Sequence, residues 1–366
     1  MGAEHIVVAE PLTVLFAPDS FKGSLTAVEV ASALSTGWSK ARPDDELLIS
    51  PLADGGEGTL EAAAAAGGWT WREAQAHDPL GRPVNARWLQ SDDGRNAIVE
   101  LAAASGLSLV SPGERDPIAA TTFGTGEVIR AAVDAGIESL VIGIGGSATT
   151  DGGRGMLDAI RSANEDDERL KSVDVIVACD VANPLLGPTG AAATYGPQKG
   201  ATPEQVVELD ARLKEYADEL EAWTGRHERE TPGAGAAGGV GFALLCSQNR
   251  FRSFALRPGV ELLMETTGFD AKLDRADIVV TGEGRIDEQT AFGKTALGVA
   301  RRAAAAGVRC IAVGGGVTDG GIEALRPLNV VVVPVSEEPQ TVETAMAAGA
   351  APVERCGERI AGLATR

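Results

Sequence analysis

Residues able to do chemistry fall in five short stretches that share one grammar. The fullest is Val141-Ile142-Gly143-Ile144-Gly145-Gly146-Ser147-Ala148-Thr149-Thr150-Asp151-Gly152-Gly153, where an apolar run ends in glycines, hydroxyls and one carboxylate. The others are Ala17-Pro18-Asp19-Ser20-Phe21-Lys22-Gly23, Leu52-Ala53-Asp54-Gly55-Gly56-Glu57-Gly58, Ala178-Cys179-Asp180-Val181-Ala182-Asn183-Pro184 and Thr281-Gly282-Glu283-Gly284-Arg285-Ile286-Asp287. Glycine lets backbone N–H groups approach an anion closely, and a following helix adds partial positive charge. Carboxylates at such places coordinate Mg²⁺ or take a proton from a hydroxyl. Lys22, Lys199, Arg285 and Lys294 lie inside or beside glycine-rich stretches. Together these stretches point to an enzyme acting on a phosphorylated substrate.

Simpler readings compete at each position. A single Asp at a strand end caps the next helix or steadies a turn. For Asp19, Asp54, Asp151, Asp180 and Asp287 together, capping leaves the adjoining Lys, Ser and Gly unexplained. Gly143-x-Gly145-x-x-Ala148 fits the dinucleotide fingerprint, which keeps an NAD-dependent oxidoreductase open as an alternative. Gly233-x-Gly235-x-x-Gly238 fits it too, without a strand before it. Gly293-Lys294-Thr295 resembles the end of a P-loop, but position 288 holds Glu where that motif needs Gly. Ser20 and Ser147 have no histidine placed to activate them, so hydrogen bonding to an anion suits them better than nucleophilic attack. The run 233–241 serves equally well to bind an anion or to let a helix pack closely.

The bulk composition narrows the class. The chain has 366 residues, room for two domains, and 44% hydrophobic residues against only 4% aromatic, so the core must rest on Ala, Val, Leu and Ile. A net charge of −20 argues against nucleic acid or an anionic membrane as partner. Cys179, Cys246, Cys310 and Cys356 are widely spaced, and His5, His77 and His227 are scattered. Reduced thiols are therefore expected, rather than a disulfide framework or zinc site. No apolar run reaches the ~18 residues that span a bilayer, and no targeting segment is evident. A cytoplasmic protein is expected; assembly into a homo-oligomer stays open.

These residues must be positioned by alternating strands and helices. Apolar, β-branched runs predict buried strands over 13–16, 47–51, 97–101, 140–144, 173–178, 278–281, 310–313 and 330–335. Helical patterns cover 26–41, 58–66, 124–135, 203–223, 294–306 and 341–363. Thr202-Pro203-Glu204-Gln205 reads as a helix start. The acidic run 164–171 reads as a solvated loop or helix end. The alternation predicts an α/β fold with mainly parallel sheets, in which ligands bind beyond the carboxyl ends of the strands.

The order and spacing of seven segments (17–25, 53–59, 102–107, 143–153, 178–180 through 196–201, 233–239 and 281–290) resemble the glycerate kinase family over nearly the whole chain. Departures are local: residues 155–173 form a shorter connection than in many members, Thr150 stands where Asn is common, and 314–319 is an unusual late loop. The resemblance implies ATP-dependent phosphorylation of D-glycerate, most often on the 2-hydroxyl to give 2-phosphoglycerate, with 3-phosphoglycerate as the alternative product. It also implies two α/β domains: a discontinuous Rossmann- or flavodoxin-like domain from 1–67 and 271–366, and a domain inserted at 68–270.

Expected roles follow from resemblance and chemistry together. Asp180, Asp287 and Lys22 are the catalytic candidates. Asp19, Ser20, Asp54, Glu57 and Arg285 are expected at the substrate, and Gly145, Gly146, Ser147, Lys199 and Lys294 at ATP. Asp54 and Asp180 are expected to hold Mg²⁺. A non-catalytic sensor would keep the same loops without the chemistry.

Overall fold

Runs rich in Val, Ile and Leu form the strands because buried parallel sheets favour β-branched side chains on both faces. The computed structural model describes residues 10–163, 168–288, 290, 295–336 and 341–364. In chain order the strands are β1 (Thr13–Phe16), β2 (Glu46–Ile49), β3 (Trp69–His77), β4 (Pro83–Ser91), β5 (Asn96–Glu100), β6 (Ser139–Gly143), β7 (Asp174–Ala178), β8 (Ser253–Arg257), β9 (Ile278–Ile286), β10 (Arg309–Val317) and β11 (Val331–Pro334).

The described chain forms two compact units. One comprises Met1–Ala53, Glu61–Ala66 and Leu263–Arg366; the other comprises Asp54–Leu60 and Gly67–Leu262.

The first unit holds a five-stranded sheet in the order β11-β10-β9-β1-β2, parallel throughout. Its core includes Phe16, Leu34, Trp38, Val280 and Ile311, with Phe16 and Trp38 meeting edge to face. Helix Ala27–Ala41 starts with a capping box at Thr26 and Glu29. It packs tightly on helix Ala351–Ala361. A Cβ on Gly37 would lie 1.8 Å from Glu354 O, and one on Gly357 would lie 2.2 Å from Leu34 O. Glycines at the crossing let the two backbones touch.

The second unit holds a six-stranded sheet in the order β3-β4-β5-β6-β7-β8. Strands β5 to β8 are parallel, whereas β3, β4 and β5 pair antiparallel. Its core is aliphatic, as the composition requires, and is built around Val99, Ile129, Leu140, Val177 and Leu244. Helix Phe123–Asp134 lies against helix Arg154–Ala163, where a Cβ on Gly126 would come 2.3 Å from Met156 O.

Several sequence expectations are corrected. Strands β3, β4 and β8 are additional to those expected. Strand β3 (WTWREAQAH) carries exposed polar side chains, and its partner β4 (PVNARWLQS) is part polar, so neither shows a continuous apolar run. Strand β8 is short and edges its sheet. The helix expected over 341–363 is two helices, Val342–Ala347 and Ala351–Ala361, separated where Gly349 takes φ +59° and Pro352 opens the second. Segment 281–287, read as a loop beyond a strand, continues β9 to Ile286 and pairs with an equally extended β10 through Gly316 opposite Arg285.

Candidate active site

In the second unit segments 144–153 and 179–184 follow the parallel strands β6 and β7, where an α/β sheet is expected to place its ligands. The loop after β6 is the most constrained. Leu107 N donates to Gly146 O at 2.8 Å, and Ala148 N donates to Ser105 O at 2.9 Å. Gly146 takes φ +73°, a left-handed conformation that glycine adopts without strain. Gly145 faces the 54–58 segment so closely that an added Cβ would lie 2.4 Å from Gly56 Cα. Ser147 is 8% exposed, and its Oγ accepts from Lys199 Nζ at 2.8 Å.

Lys199 therefore sits beneath this loop. It is 2% exposed, and its Nζ also donates to Thr149 O at 2.5 Å. Burial pushes its ammonium down to about 7, and nearby Asp151 opposes that shift.

Asp151 is absorbed by structural bonds. Its carboxylate accepts from Thr122 N and Oγ1, both at 2.8 Å, and from Gly153 N and Gly155 N at 3.0 and 3.2 Å. For this carboxylate the capping interpretation is the one the structure supports.

Gly259 lies against the backbone of Asp54 and the carboxylate of Asp180. Gly259 N donates to Asp180 Oδ1 at 3.0 Å, and a Cβ on Gly259 would lie 2.4 Å from Asp54 O. Asp180 is exposed, Asp54 half-buried and Glu57 exposed. Among the described residues no three His, Cys, Asp or Glu side chains gather as a ready-made metal site. Mg²⁺ is commonly held by one or two carboxylates plus substrate phosphates, and carboxylate oxygens such as those of Asp54 and Asp180 are of the donor type it prefers.

In the first unit a second group forms at the ends of β1 and β9. Asp19 is 7% exposed; its Oδ1 accepts from Ser20 N at 2.6 Å and its Oδ2 from Thr295 Oγ1 at 2.6 Å. Asp19 N donates to Gly282 O at 2.8 Å, which fixes this turn against β9. Lys22 is exposed in a tight loop closed by a bridge between Phe21 and Leu25. A Cβ on Gly284 would lie 3.3 Å from Phe21 Cα, so the loop rests on glycine. Arg285 is exposed, with Nε 3.2 Å from Asp287 Oδ2. Asp287 N donates to Thr290 Oγ1 at 3.2 Å, and Thr290 Oγ1 donates to Glu283 Oε1 at 3.0 Å. Lys294 lies outside the described residues.

Some supporting residues were not singled out from sequence. Glu100 is 6% exposed and accepts from Leu60 N at 2.8 Å. Glu283 is 8% exposed beside Thr290. A carboxylate closing an otherwise apolar strand was the available signal for Glu100. The 233–241 run packs rather than opens. A Cβ on Gly235 would lie 2.2 Å from Pro184 O, and one on Gly238 would lie 2.0 Å from Thr149 O. Gly152 N donates to Gly238 O at 3.0 Å, so this run supports the loop after β6 from behind.

The profile of the glycerate kinase family matches residues 14–168 and 160–365. The chain belongs to the glycerate kinase family. It is 44% identical to the glycerate kinase of Haemophilus influenzae, covering 86% of this chain and 90% of that protein. It is 42% identical to the glycerate 2-kinase of Escherichia coli K12, covering 84% and 86%. A crystal structure described as a candidate glycerate kinase 2 from Salmonella typhimurium LT2 superposes with a TM-score of 0.81 at 40% identity, covering 97% of this chain and 99% of that one. Membership of the glycerate kinase family accounts for the order of the glycine-rich segments along the chain. Among the described residues no helix is long and apolar enough to cross a membrane, and all four cysteines are free thiols.

Proposed function

We propose that this chain is an ATP-dependent kinase that phosphorylates D-glycerate on its 2-hydroxyl, giving 2-phosphoglycerate and ADP. The observation that carries the reading is 42% identity, over more than four-fifths of both chains, to a protein named glycerate 2-kinase. In the transfer, the hydroxyl oxygen bonds to the γ-phosphorus and the bond from that phosphorus to the bridging oxygen breaks. ADP leaves, and the hydroxyl proton passes to a base. Such reactions depend on alignment and charge neutralisation more than on covalent help from the protein.

The loops suit this chemistry in named roles. The backbone of Gly145 and Gly146 and the Ser147 hydroxyl receive ATP phosphates, supported by the left-handed turn at Gly146 and the loop's cross-bracing. Arg285 and Lys22 receive anionic groups of the substrates, with Arg285 able to grip a carboxylate in bidentate fashion. Asp19 and Ser20 orient glycerate. Asp54 with Glu57 contacts its hydroxyls, and Asp54 with Asp180 holds Mg²⁺. The metal, when bound, supplies neutralisation of phosphate charge. Asp180 or Asp287 takes the hydroxyl proton.

The test is an ATP-dependent assay on D-glycerate with Mg²⁺, with the product identified by ³¹P NMR. 2-Phosphoglycerate is expected. 3-Phosphoglycerate would keep the kinase and overturn the regiochemistry. Tight NAD binding without ATP turnover would overturn the kinase.

A further inference from the structure

A lysine has three N–H donors when charged and no acceptor, whereas a serine hydroxyl has one donor and two lone pairs. The ammonium of Lys199, essentially removed from solvent, spends two donors on Ser147 Oγ and Thr149 O. Both acceptors belong to the glycine-rich loop after β6. The charged groups around it are few. Asp151 acts on it electrostatically, and Arg115 and Asp116 line the same space among Leu107, Val110 and Ala148. Arg115 Nη1 donates to Gln198 O at 3.2 Å, beside Lys199 in sequence.

We propose that Lys199 is a positioning residue that sets the hydrogen-bond polarity of Ser147, holding the hydroxyl as a donor toward an incoming phosphate. With one lone pair of Ser147 Oγ engaged by the ammonium, the hydroxyl proton cannot point at Lys199 and is kept for another acceptor. A neutral amine would reverse this, because its lone pair can accept the Ser147 proton. The same contact to Thr149 O fixes the loop's exit. The inference rests on the reading that this loop receives ATP phosphates, and it takes Lys199 off the nucleotide surface and places it one bond behind.

The test measures binding of ATP with Mg²⁺, without glycerate, by calorimetry on the full chain. The proteins are the parent and Lys199→Met, Ser147→Ala and the double variant. Lys199→Met is expected to weaken ATP about tenfold, as loss of one charge-assisted hydrogen bond implies. The KM for glycerate should stay within about twofold, which a general loss of structure would not allow. The two single effects should be non-additive, since both act through one hydroxyl. Additive effects would mean that Lys199 meets the nucleotide directly and would overturn the inference, as would Lys199→Met binding ATP like the parent. Should Lys199→Met fail to fold, the pH dependence of ATP affinity decides. The parent should lose affinity above about pH 7 relative to Ser147→Ala, and parallel profiles would overturn the inference. Absence of ATP binding by the parent would instead overturn the kinase reading, and this inference with it.

Discussion

Thr295 Oγ1 donates to Asp19 Oδ2 at 2.6 Å, joining residues 276 positions apart in sequence. The bond ties the start of helix Thr295–Ala306 to the turn that leaves β1. Both residues are buried, so the carboxylate depends on protein donors to stay satisfied. Thr295→Val removes one donor and leaves a buried acceptor short of a partner. The variant should lose on the order of 1–3 kcal/mol of stability. Urea unfolding followed by circular dichroism measures this; an unchanged midpoint would show that the bond contributes nothing net.

The loop after β6 tolerates no side chain at Gly145. Its added Cβ would meet Gly56 Cα at 2.4 Å, and neither backbone can give way as a flexible side chain would. Gly145→Ala should therefore displace the loop and raise the KM for ATP by about tenfold or more. Gly146→Ala meets only Ala102 Cβ, at an ordinary van der Waals distance of 3.5 Å, but must hold φ +73°, at a cost of roughly 1 kcal/mol. Steady-state kinetics should rank Gly145→Ala as the more damaging, and the reverse order would contradict the steric argument.

Proton removal from the glycerate hydroxyl needs one well-placed base. Asp180 and Asp287 are the two candidates: the Asp180 carboxylate accepts from Gly259 N, and the Asp287 carboxylate lies 3.2 Å from Arg285 Nε. Replacing the true base by Asn should lower kcat by ~10²–10⁴-fold, and replacing the other should cost less. If Asp180→Asn and Asp287→Asn both turn over near normally, neither is the base.

Burial holds the Lys199 ammonium at about 7, while in the unfolded chain a lysine titrates near 10.4. Between those values the unfolded chain binds more protons than the folded one. Stability therefore rises with pH across that window, and the penalty for burying the charge is full below it. Lys199→Met abolishes this dependence. The stability of the variant relative to the parent should fall by on the order of 2–4 kcal/mol between pH 6 and pH 10. Thermal or urea unfolding at several pH values checks it, and a constant difference would show that the buried amine titrates normally.

Much of the architecture was legible from local pattern. Runs such as Val173 to Ala178 announce strands because both faces of a parallel sheet are apolar, and Thr202-Pro203 announces a helix through its cap and proline. The glycine-rich segments could be found, and their order pointed to the family, because each keeps its residues within a short stretch. Strands β3 and β4 escaped because their partly exposed surfaces interrupt the apolar pattern, and β9 ran on past Thr281 because pairing with β10 outweighed the glycines.

Spatial partnership was beyond the sequence. Asp151 and Asp180 look alike in a list of strand-end carboxylates, yet one is consumed by Thr122, Gly153 and Gly155 while the other stands exposed on its loop. Lys199 reads as an ATP-binding cation beside a glycine-rich stretch, and only the folding of its segment under the 145–149 loop buries it against Ser147. Residue type fixes which bonds a side chain can make, and that much the sequence determined. Which of those bonds are made depends on atoms brought together from distant positions, and on the water excluded around them, and those the tertiary structure decided.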